Sequence, residues 1–160
     1  MVGSTIVAAN IDILAVGGLS HDLRPAFAHY SRLLLPLCDL RVREVREYSL
    51  RGRPVDDVLR DEGRRLLAAW PPRGVAVALA VDGGEYDSPA LALRLQAWRE
   101  RGGVTFVVGG SLGLAPDVLA RAEEHLSLSR LTLPHQLARV VLAEQLFRAL
   151  KIARREPYHH

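Results

Sequence analysis

Short apolar runs alternate along the chain with longer stretches of helical periodicity. The runs at residues 12–17, 74–81 and 104–108 predict buried strands. The second run is apolar on both faces, which is typical of a parallel strand that is covered by helices. Residues 40–48 carry apolar side chains among alternating charges, and they predict a strand near the edge of a sheet.

Five segments repeat apolar residues at the spacing of a helix face. They cover residues 22–37, residues 55–70 before a proline pair, residues 88–101, residues 117–124 and residues 134–153. In the third segment Ser88 is the predicted N-cap and Pro89 the first helical residue. Residues 126–133 are predicted to begin as a strand and to continue without regular structure.

Strands that alternate with helices indicate an α/β domain with a mostly parallel sheet of about five strands, flanked by helices. The whole chain, residues 1–160, is expected to form one domain, since 160 residues suffice to bury a single core. Residues 1–11 are interpreted as an N-terminal extension and residues 154–160 as a polar C-terminal tail.

Composition narrows the class of protein. No basic segment precedes an apolar run at the start, and no apolar run approaches ~20 residues, so we expect neither a signal peptide nor a membrane span. Cys38 is the only cysteine, which excludes an internal disulfide and fits a reducing cytoplasm. The six histidines lack metal-ligand spacing, so we expect no metal site.

The charge is mildly basic, with 21 Lys+Arg residues against 18 Asp+Glu residues and a net charge of +3. All the basic residues except Lys151 are arginines. Arginine suits contacts with phosphates and bases, but it is also what GC-rich coding produces. The charge therefore permits a nucleic-acid partner without establishing one.

A glycine loop follows the strand at residues 104–108 and precedes a helix. Gly109, Gly110 and Gly113 allow unusual backbone angles and a close approach of a ligand to the main chain. Their spacing is G-G-x-x-G, which differs from the G-x-G-x-x-G fingerprint and disfavours an NAD-binding module. A plain strand-to-helix turn explains the loop equally well.

A hydroxyl-rich segment follows, with Ser127, Ser129 and Thr132 within six residues. Backbone groups that no sheet pairs need water or a ligand as partner, so this segment is a candidate ligand contact. The alternative is an ordinary edge strand whose hydroxyl groups face solvent, and the residues alone favour that alternative.

The last helix places Arg139 on its apolar face, among residues such as Leu142 and Leu146. A guanidinium there needs a carboxylate, phosphate or carbonyl partner, in a site, at a subunit interface or by reaching the surface. His135 begins this helix and is a candidate for proton transfer, although a structural role is more common. Tyr158, His159 and His160 end the chain and suit contact with an unpaired RNA base.

Three strings of residues resemble a known family. FVVGGSLGL, LSLSRLTLPHQLARVVLAEQLFRALKI and PYH resemble the C-terminal half of the RlmH family, which belongs to the SPOUT superfamily of methyltransferases. ILAVG, DEGRRLLAA and VALAVDGGEYDSPALA match upstream in the same order, so that the resemblance covers about residues 12–159. Phe147 departs from a tyrosine that is frequent in the family, and Ala80 and Asp82 depart from its pattern after the strand.

The resemblance implies a SPOUT-type α/β fold with a deep trefoil knot in its C-terminal part. It implies S-adenosylmethionine as cofactor, a homodimer as the working form, and methylation of N3 of a pseudouridine in 23S rRNA. We expect the substrate to be an assembled 70S ribosome, because the chain has little positive charge with which to bind RNA. A different SPOUT RNA methyltransferase and a non-catalytic ribosome assembly factor are the alternatives.

The resemblance also assigns site residues. Those expected to contact the cofactor are Leu79, Gly109, Leu128, Ser129, Arg130, Leu131, Thr132 and Leu133. The candidates for catalysis are His135, Arg139 and His159. Arg139, Tyr158 and His159 are the candidates for binding the substrate RNA.

Overall fold

The structure is a computed structural model, and it describes residues 10–158. Strands and helices alternate along the whole of this range. In chain order they are β1 (Ile11–Val16), α1 (Arg24–Leu34), β2 (Leu40–Val45), α2 (Val55–Ala68), β3 (Val75–Gly84), α3 (Ser88–Glu100), β4 (Val104–Val108), α4 (Pro116–Arg121), β5 (Glu124–Leu126) and α5 (His135–Ala153).

The strands form one five-stranded sheet in the order β2-β1-β4-β3-β5. Every neighbouring pair is parallel. The central strand β4 is buried along its whole length, and the edge strand β2 is exposed at most positions. The predicted α/β class with a parallel sheet is therefore confirmed. The knot is not tested by the strand order and stays a prediction.

Helices cover both faces of the sheet. The larger core lies between the sheet and helices α1, α3 and α5, where Trp98 packs edge-on against Phe106 with ring centres 6.0 Å apart. The smaller core contains Leu66 of α2 and Val118 of α4, on the opposite face. Successive side chains of a strand point to opposite faces, so β1 supplies Ile13 to the first core and Leu14 to the second.

Several predicted boundaries were wrong by a few residues. Helix α1 is shorter than residues 22–37 at both ends, and β2 ends at Val45 rather than at residue 48. Helix α3 begins at Ser88 itself, and Asp87 is its N-cap, whose carboxylate accepts a hydrogen bond of 2.9 Å from the Ala90 amide. An aspartate oxygen reaches the first turn as well as a serine hydroxyl does, so the dipeptide Asp87-Ser88 offered two possible caps.

The largest boundary error lies around β5. A helix was predicted over residues 117–124 and a strand from residue 126, whereas α4 ends at Arg121 and β5 ends at Leu126. Pairing with β3 fixes the strand, because Glu124 lies opposite Val77 and Leu126 opposite Leu79. Residues 127–133, which follow, form neither a helix nor a strand.

Candidate functional site

A cleft with a volume of about 630 Å³ opens at the carboxyl ends of β3 and β4. Parallel α/β sheets bind ligands at this edge. Cavities of about 670 and 830 Å³ lie elsewhere, one beside the ends of α1 and α5 and one at the amino ends of β1 and β4. Only the first of the three contains the two irregular segments that the sequence indicated, and we take it as the candidate site.

The first irregular segment is residues 109–113, here called the glycine wall. The amide of Gly113 donates to the Gly110 carbonyl at 3.0 Å, and Gly113 has a φ of +81°, which an L side chain rarely adopts. A Cβ atom on Gly109 would lie 2.4 Å from the Gly113 carbonyl oxygen. The wall is therefore a tight turn in which the main chain passes too close to itself for a side chain.

The second irregular segment is residues 127–133, here called the serine wall. The Ser127 hydroxyl donates to the Ser129 carbonyl at 3.0 Å, and the Leu131 amide donates to the Ser129 hydroxyl at 2.9 Å. The Ser127 amide donates to the Gly84 carbonyl at 2.9 Å, which ties the wall to the end of β3. Hydroxyl groups thus hold a segment that has no regular structure of its own.

The described lining of the cleft consists mainly of uncharged groups. Among the described residues that line it, none is Asp, Glu, Lys or Arg, and His135 is the only titratable one. The walls instead present leucines, small residues and main-chain groups. Such a surface suits an uncharged aromatic and ribose-like body better than a polyphosphate, which needs cationic partners.

His135 lies where the serine wall meets α5, and its ring belongs to the lining. Its Nε2 atom is buried and has no hydrogen-bond partner among the described residues. The nearest carboxylate oxygen, Oε1 of Glu47, lies 3.7 Å from that nitrogen, which is an ion-pair distance but too long for a hydrogen bond. The cleft therefore has one group that can accept a proton, with an acidic side chain behind it.

Comparison with known proteins identifies the family of this chain. A family model described as "Predicted SPOUT methyltransferase" matches residues 9–159. This chain belongs to the SPOUT methyltransferase family. The SPOUT match covers nearly the whole sequence, so both walls of the cleft and α5 fall within it.

Curated relatives place the chain beside the RlmH proteins of this family, as the sequence resemblance indicated. A protein of Anaeromyxobacter dehalogenans (strain 2CP-C), named Ribosomal RNA large subunit methyltransferase H, is 47% identical over 93% of this chain and 98% of its own length. A protein of Bifidobacterium animalis subsp. lactis (strain AD011) with the same name is 41% identical over 94% of this chain and 99% of its own.

A solved structure shows the same fold. It is described as a probable methylase family protein from Haemophilus influenzae Rd KW20, and it superposes with a TM-score of 0.54. The superposition covers 94% of this chain and 70% of that chain at 13% sequence identity. At that identity the likeness concerns the fold alone.

Most of the expected cofactor residues of the SPOUT chain meet at the cleft. Those that line it are Leu79, Gly109, Leu128, Ser129, Leu131, Thr132 and Leu133. Arg130 does not line it. Its guanidinium is exposed and lies 3.9 Å from the carboxylate of Glu85.

Arg139 has its partners inside the fold. Its side chain is 1% exposed, and it donates to Oε2 of Glu44 at 2.6 Å and to the carbonyl of Gly17 at 2.8 Å. Arg139 is also absent from the described lining of the cleft. Of the alternatives open at the sequence level, a carboxylate and carbonyl partner within the chain is the one that the structure shows.

Tyr158 lies at the other end of α5. Its ring packs edge-on against Phe147 at 4.6 Å, and Arg148 lies over it at 5.0 Å from the ring centre. Phe147 is twelve residues beyond His135 on one helix, which corresponds to about 18 Å along the axis. One chain therefore does not bring Tyr158 to its own cleft. His159 lies outside the described residues.

Several residues at the site were not assigned a role from the sequence. Ala80 and Val81 line the cleft at the end of β3, and Ala138 lines it one turn into α5. The carboxyl end of a buried strand is itself a signal for the first two. No sequence signal pointed to Glu47, because its nearness to His135 depends on where β2 ends.

No group of three or more His, Cys, Asp or Glu side chains that could hold a metal ion occurs within residues 10–158. Over the same range, none of the helices has the length and apolar character needed to cross a membrane.

Proposed function

We propose that this SPOUT chain methylates N3 of a pseudouridine in 23S rRNA, with S-adenosylmethionine as methyl donor. Family membership supports methyl transfer, and the name of the curated relatives supports large-subunit rRNA as the substrate. The observation that carries the proposal is the cleft between the glycine and serine walls, whose described lining contains no Asp, Glu, Lys or Arg. We assign the reaction to the cytoplasm, where ribosomes work.

The lining fits the proposed cofactor. S-adenosylmethionine has no phosphate, so the absence of arginine and lysine from the described lining is no obstacle. The main-chain groups of the serine wall would hold the adenosine part, and the tight turn at Gly109 would leave room beside it. When bound, the cofactor supplies a methyl group that its sulfonium has already made electrophilic.

The protein has to align the nucleophile and remove one proton. Holding the reacting groups in line supplies most of the rate enhancement when the electrophile is already activated. Pseudouridine N3 loses its proton on methylation, and we propose that His135 accepts that proton. Glu47, 3.7 Å from Nε2 of His135, would stabilise the imidazolium that forms. His159 remains a second candidate for this role.

Arg139 would stabilise the backbone that surrounds the site. Its bonds to Glu44 on β2 and to the carbonyl of Gly17 after β1 hold the first turn of α5 against the sheet. His135 lies four residues before Arg139, one helical turn away on the same face of α5. We therefore propose that Arg139 positions His135 and the serine wall rather than contacting RNA.

The distance between Tyr158 and the cleft suggests how the working form is assembled. We propose a homodimer in which the tail of one subunit, with Tyr158 and His159, reaches the cleft or the RNA of the other. Exposed apolar side chains beside the cleft support a partner there, since Leu131 is 76% and Val81 58% exposed. Sedimentation at micromolar concentration tests this, and a monomer would contradict it.

The decisive experiment is transfer of labelled methyl from S-adenosylmethionine to ribosomes from a strain that lacks this protein, followed by mapping of the nucleotide. We expect label on N3 of a pseudouridine in 23S rRNA, with assembled 70S ribosomes as the preferred substrate. Label on another RNA would indicate a different SPOUT methyltransferase. Cofactor binding without transfer would indicate an assembly factor, and binding of NAD instead would contradict the cofactor assignment.

A further inference from the structure

Tyr48, in the loop after β2, is surrounded by three arginine side chains. The guanidinium carbons of Arg46, Arg53 and Arg65 lie 5.8, 5.3 and 5.1 Å from the centre of its ring, within the range of cation–π attraction. Arg65 also donates from Nε to the Tyr48 hydroxyl at 2.7 Å. The ring thus gathers three positive charges at one place, and we call these four residues the arginine–tyrosine cluster.

The positive charge of the cluster is only partly neutralised. Arg53 forms an ion pair with Asp61. Arg46 and Arg65 are exposed, and neither has an ion pair with a carboxylate among residues 10–158. Like charges held close together repel one another, and a bound anion between them relieves that repulsion.

The cluster lies in the segment that carries the net charge of the whole protein. Residues 41–73 contain nine arginines and six acidic residues, a net charge of +3 that equals the charge of the full chain. Two of the six acidic side chains are engaged elsewhere: Glu62 is buried, and Glu44 is bonded to Arg139 of α5. The rest of the chain is neutral in sum, so β2 and α2 form its basic surface.

The cluster is fixed beside the methyl-transfer cleft. Glu47, which precedes Tyr48, lies 3.7 Å from His135 in the cleft lining. The Tyr48 amide donates to the buried carboxylate of Glu62 at 3.1 Å. That carboxylate lies behind the glycine wall, since a Cβ atom on Gly110 would be 3.4 Å from its Oε1 atom. An RNA whose base enters the cleft would therefore pass its backbone close to the cluster.

We propose that the arginine–tyrosine cluster binds the phosphate backbone of the substrate RNA next to the target nucleotide. This inference rests on the proposed function. It assigns the contact with RNA phosphates to the cluster, because the described lining of the cleft has no arginine or lysine. Guanidinium groups pair with phosphate oxygens through two parallel hydrogen bonds, and Tyr48 holds them converged for that contact. RNA is favoured over an acidic protein because the phosphates that flank a base in the cleft must lie at its rim.

The test compares two double variants with the wild-type protein. Arg46→Ala with Arg65→Ala removes two charges from the cluster, and Arg32→Ala with Arg101→Ala removes two exposed charges at the opposite edge of the sheet, where the strands begin. Binding to 70S ribosomes and to deproteinised 23S rRNA is measured at several salt concentrations, with KM and kcat for methyl transfer and calorimetric affinity for S-adenosylmethionine. Arg46→Ala alone serves as a milder variant, because the interaction found for Arg46 among residues 10–158 is the one with the Tyr48 ring.

For the cluster variant we expect KM and the RNA dissociation constant to rise about tenfold. The number of counterions released on binding, obtained from the salt dependence of the affinity, should fall by about two. We expect kcat and cofactor affinity to stay at wild-type values, and the control variant to behave as wild type. Equal RNA binding by cluster and control variants would overturn the inference and leave the proposed function intact. Loss of binding to ribosomes but not to deproteinised rRNA would overturn it in favour of a ribosomal protein partner. Loss of RNA binding, with no methyl transfer by the wild type, would support the surface and refute the function.

Discussion

The two walls of the cleft reach similar irregular shapes by opposite means. The glycine wall depends on missing atoms, since a Cβ atom on Gly109 would overlap the carbonyl of Gly113. The serine wall depends on added atoms, the hydroxyl groups of Ser127 and Ser129, which bond to the main chain. One added Cβ atom displaces the whole turn of the glycine wall. Loss of one hydroxyl group from the serine wall removes one hydrogen bond and leaves the others in place.

The largest expected effect is that of Gly109→Ala. The new Cβ atom would lie 2.4 Å from the Gly113 carbonyl oxygen, so the main chain of the glycine wall must move. A displacement of about 1 Å at a reacting centre costs about a hundredfold in rate. We expect kcat/KM for methyl transfer and affinity for S-adenosylmethionine to fall by about that factor, measured by methylation kinetics and calorimetry.

Gly18→Ala is the matched control for this variant. Its Cβ atom would have no neighbour nearer than 3.5 Å, and Gly18 does not have a positive φ. We expect near wild-type cofactor affinity for it. If Gly109→Ala bound the cofactor as well as Gly18→Ala does, the close approach of Gly109 and Gly113 would have no part in shaping the cleft.

The difference between the walls also decided what the sequence could predict. The glycine wall follows the buried strand β4, so an apolar run ending in glycines located it within the chain. The serine wall follows β5, a strand of three residues that exists because it pairs with β3. Hydroxyl groups at residues 127–133 fit an edge strand as well as a loop. The residues alone therefore could not distinguish the two structures.

Partners that are distant in sequence were beyond prediction. The apolar face around Arg139 predicted that its guanidinium needs a partner, and the structure supplies Glu44, which is 95 residues away. Glu44 lies on the face of β2 toward α5 because residues of a strand alternate between faces. Chemistry predicts the type of group that pairs with Arg139. Which residue provides that group depends on the register of β1 with β2.

Ser127→Ala is expected to weaken the serine wall by one bond. Ser127 is 5% exposed, and its hydroxyl donates to the Ser129 carbonyl. Loss of one such bond costs about 1 kcal/mol, so we expect cofactor affinity to fall about fivefold by calorimetry. Ser111→Ala is the control, because Ser111 lines the same cleft but makes none of the hydrogen bonds found among residues 10–158. If Ser127→Ala lost as much cofactor affinity as Gly109→Ala, the two walls would be equally sensitive to substitution.

Ser129→Ala tests the exposed part of the same wall. Its hydroxyl accepts the Leu131 amide at 2.9 Å in an exposed position, where water can replace it. We expect a loss of about 0.5 kcal/mol, or roughly twofold in cofactor affinity. Titration of the single variants and of the Ser127/Ser129 double variant by calorimetry would measure how far the two bonds act together. A loss for Ser129→Ala above that for Ser127→Ala would contradict the assignment of the buried bond as the stronger one.

The smallest effect concerns a carboxylate that lies behind the glycine wall. Burial raises the pKa of Glu62 above its ordinary value of 4.5, while the hydrogen bond from the Tyr48 amide acts in the opposite direction. The folded chain therefore retains this proton to higher pH than the unfolded chain, and stability decreases as pH rises above 4.5 through the folded-state pKa. Glu62→Gln keeps an acceptor for Tyr48 but does not titrate. We expect its free energy of unfolding, measured in urea titrations, to increase relative to that of the wild type as pH rises above 4.5.

Glu62→Ala separates the charge of this residue from its hydrogen bond. Both variants remove the titrating group, so their stabilities should differ by a constant amount across that pH range. The alanine variant should be the less stable, because the Tyr48 amide loses its acceptor. A difference between Glu62→Gln and wild type that did not change with pH would mean that the buried carboxylate has the same proton affinity in folded and unfolded chains. The carboxyl group behind the glycine wall would then ionise as readily as in the unfolded chain, and the two walls would differ only in the contacts of their own atoms.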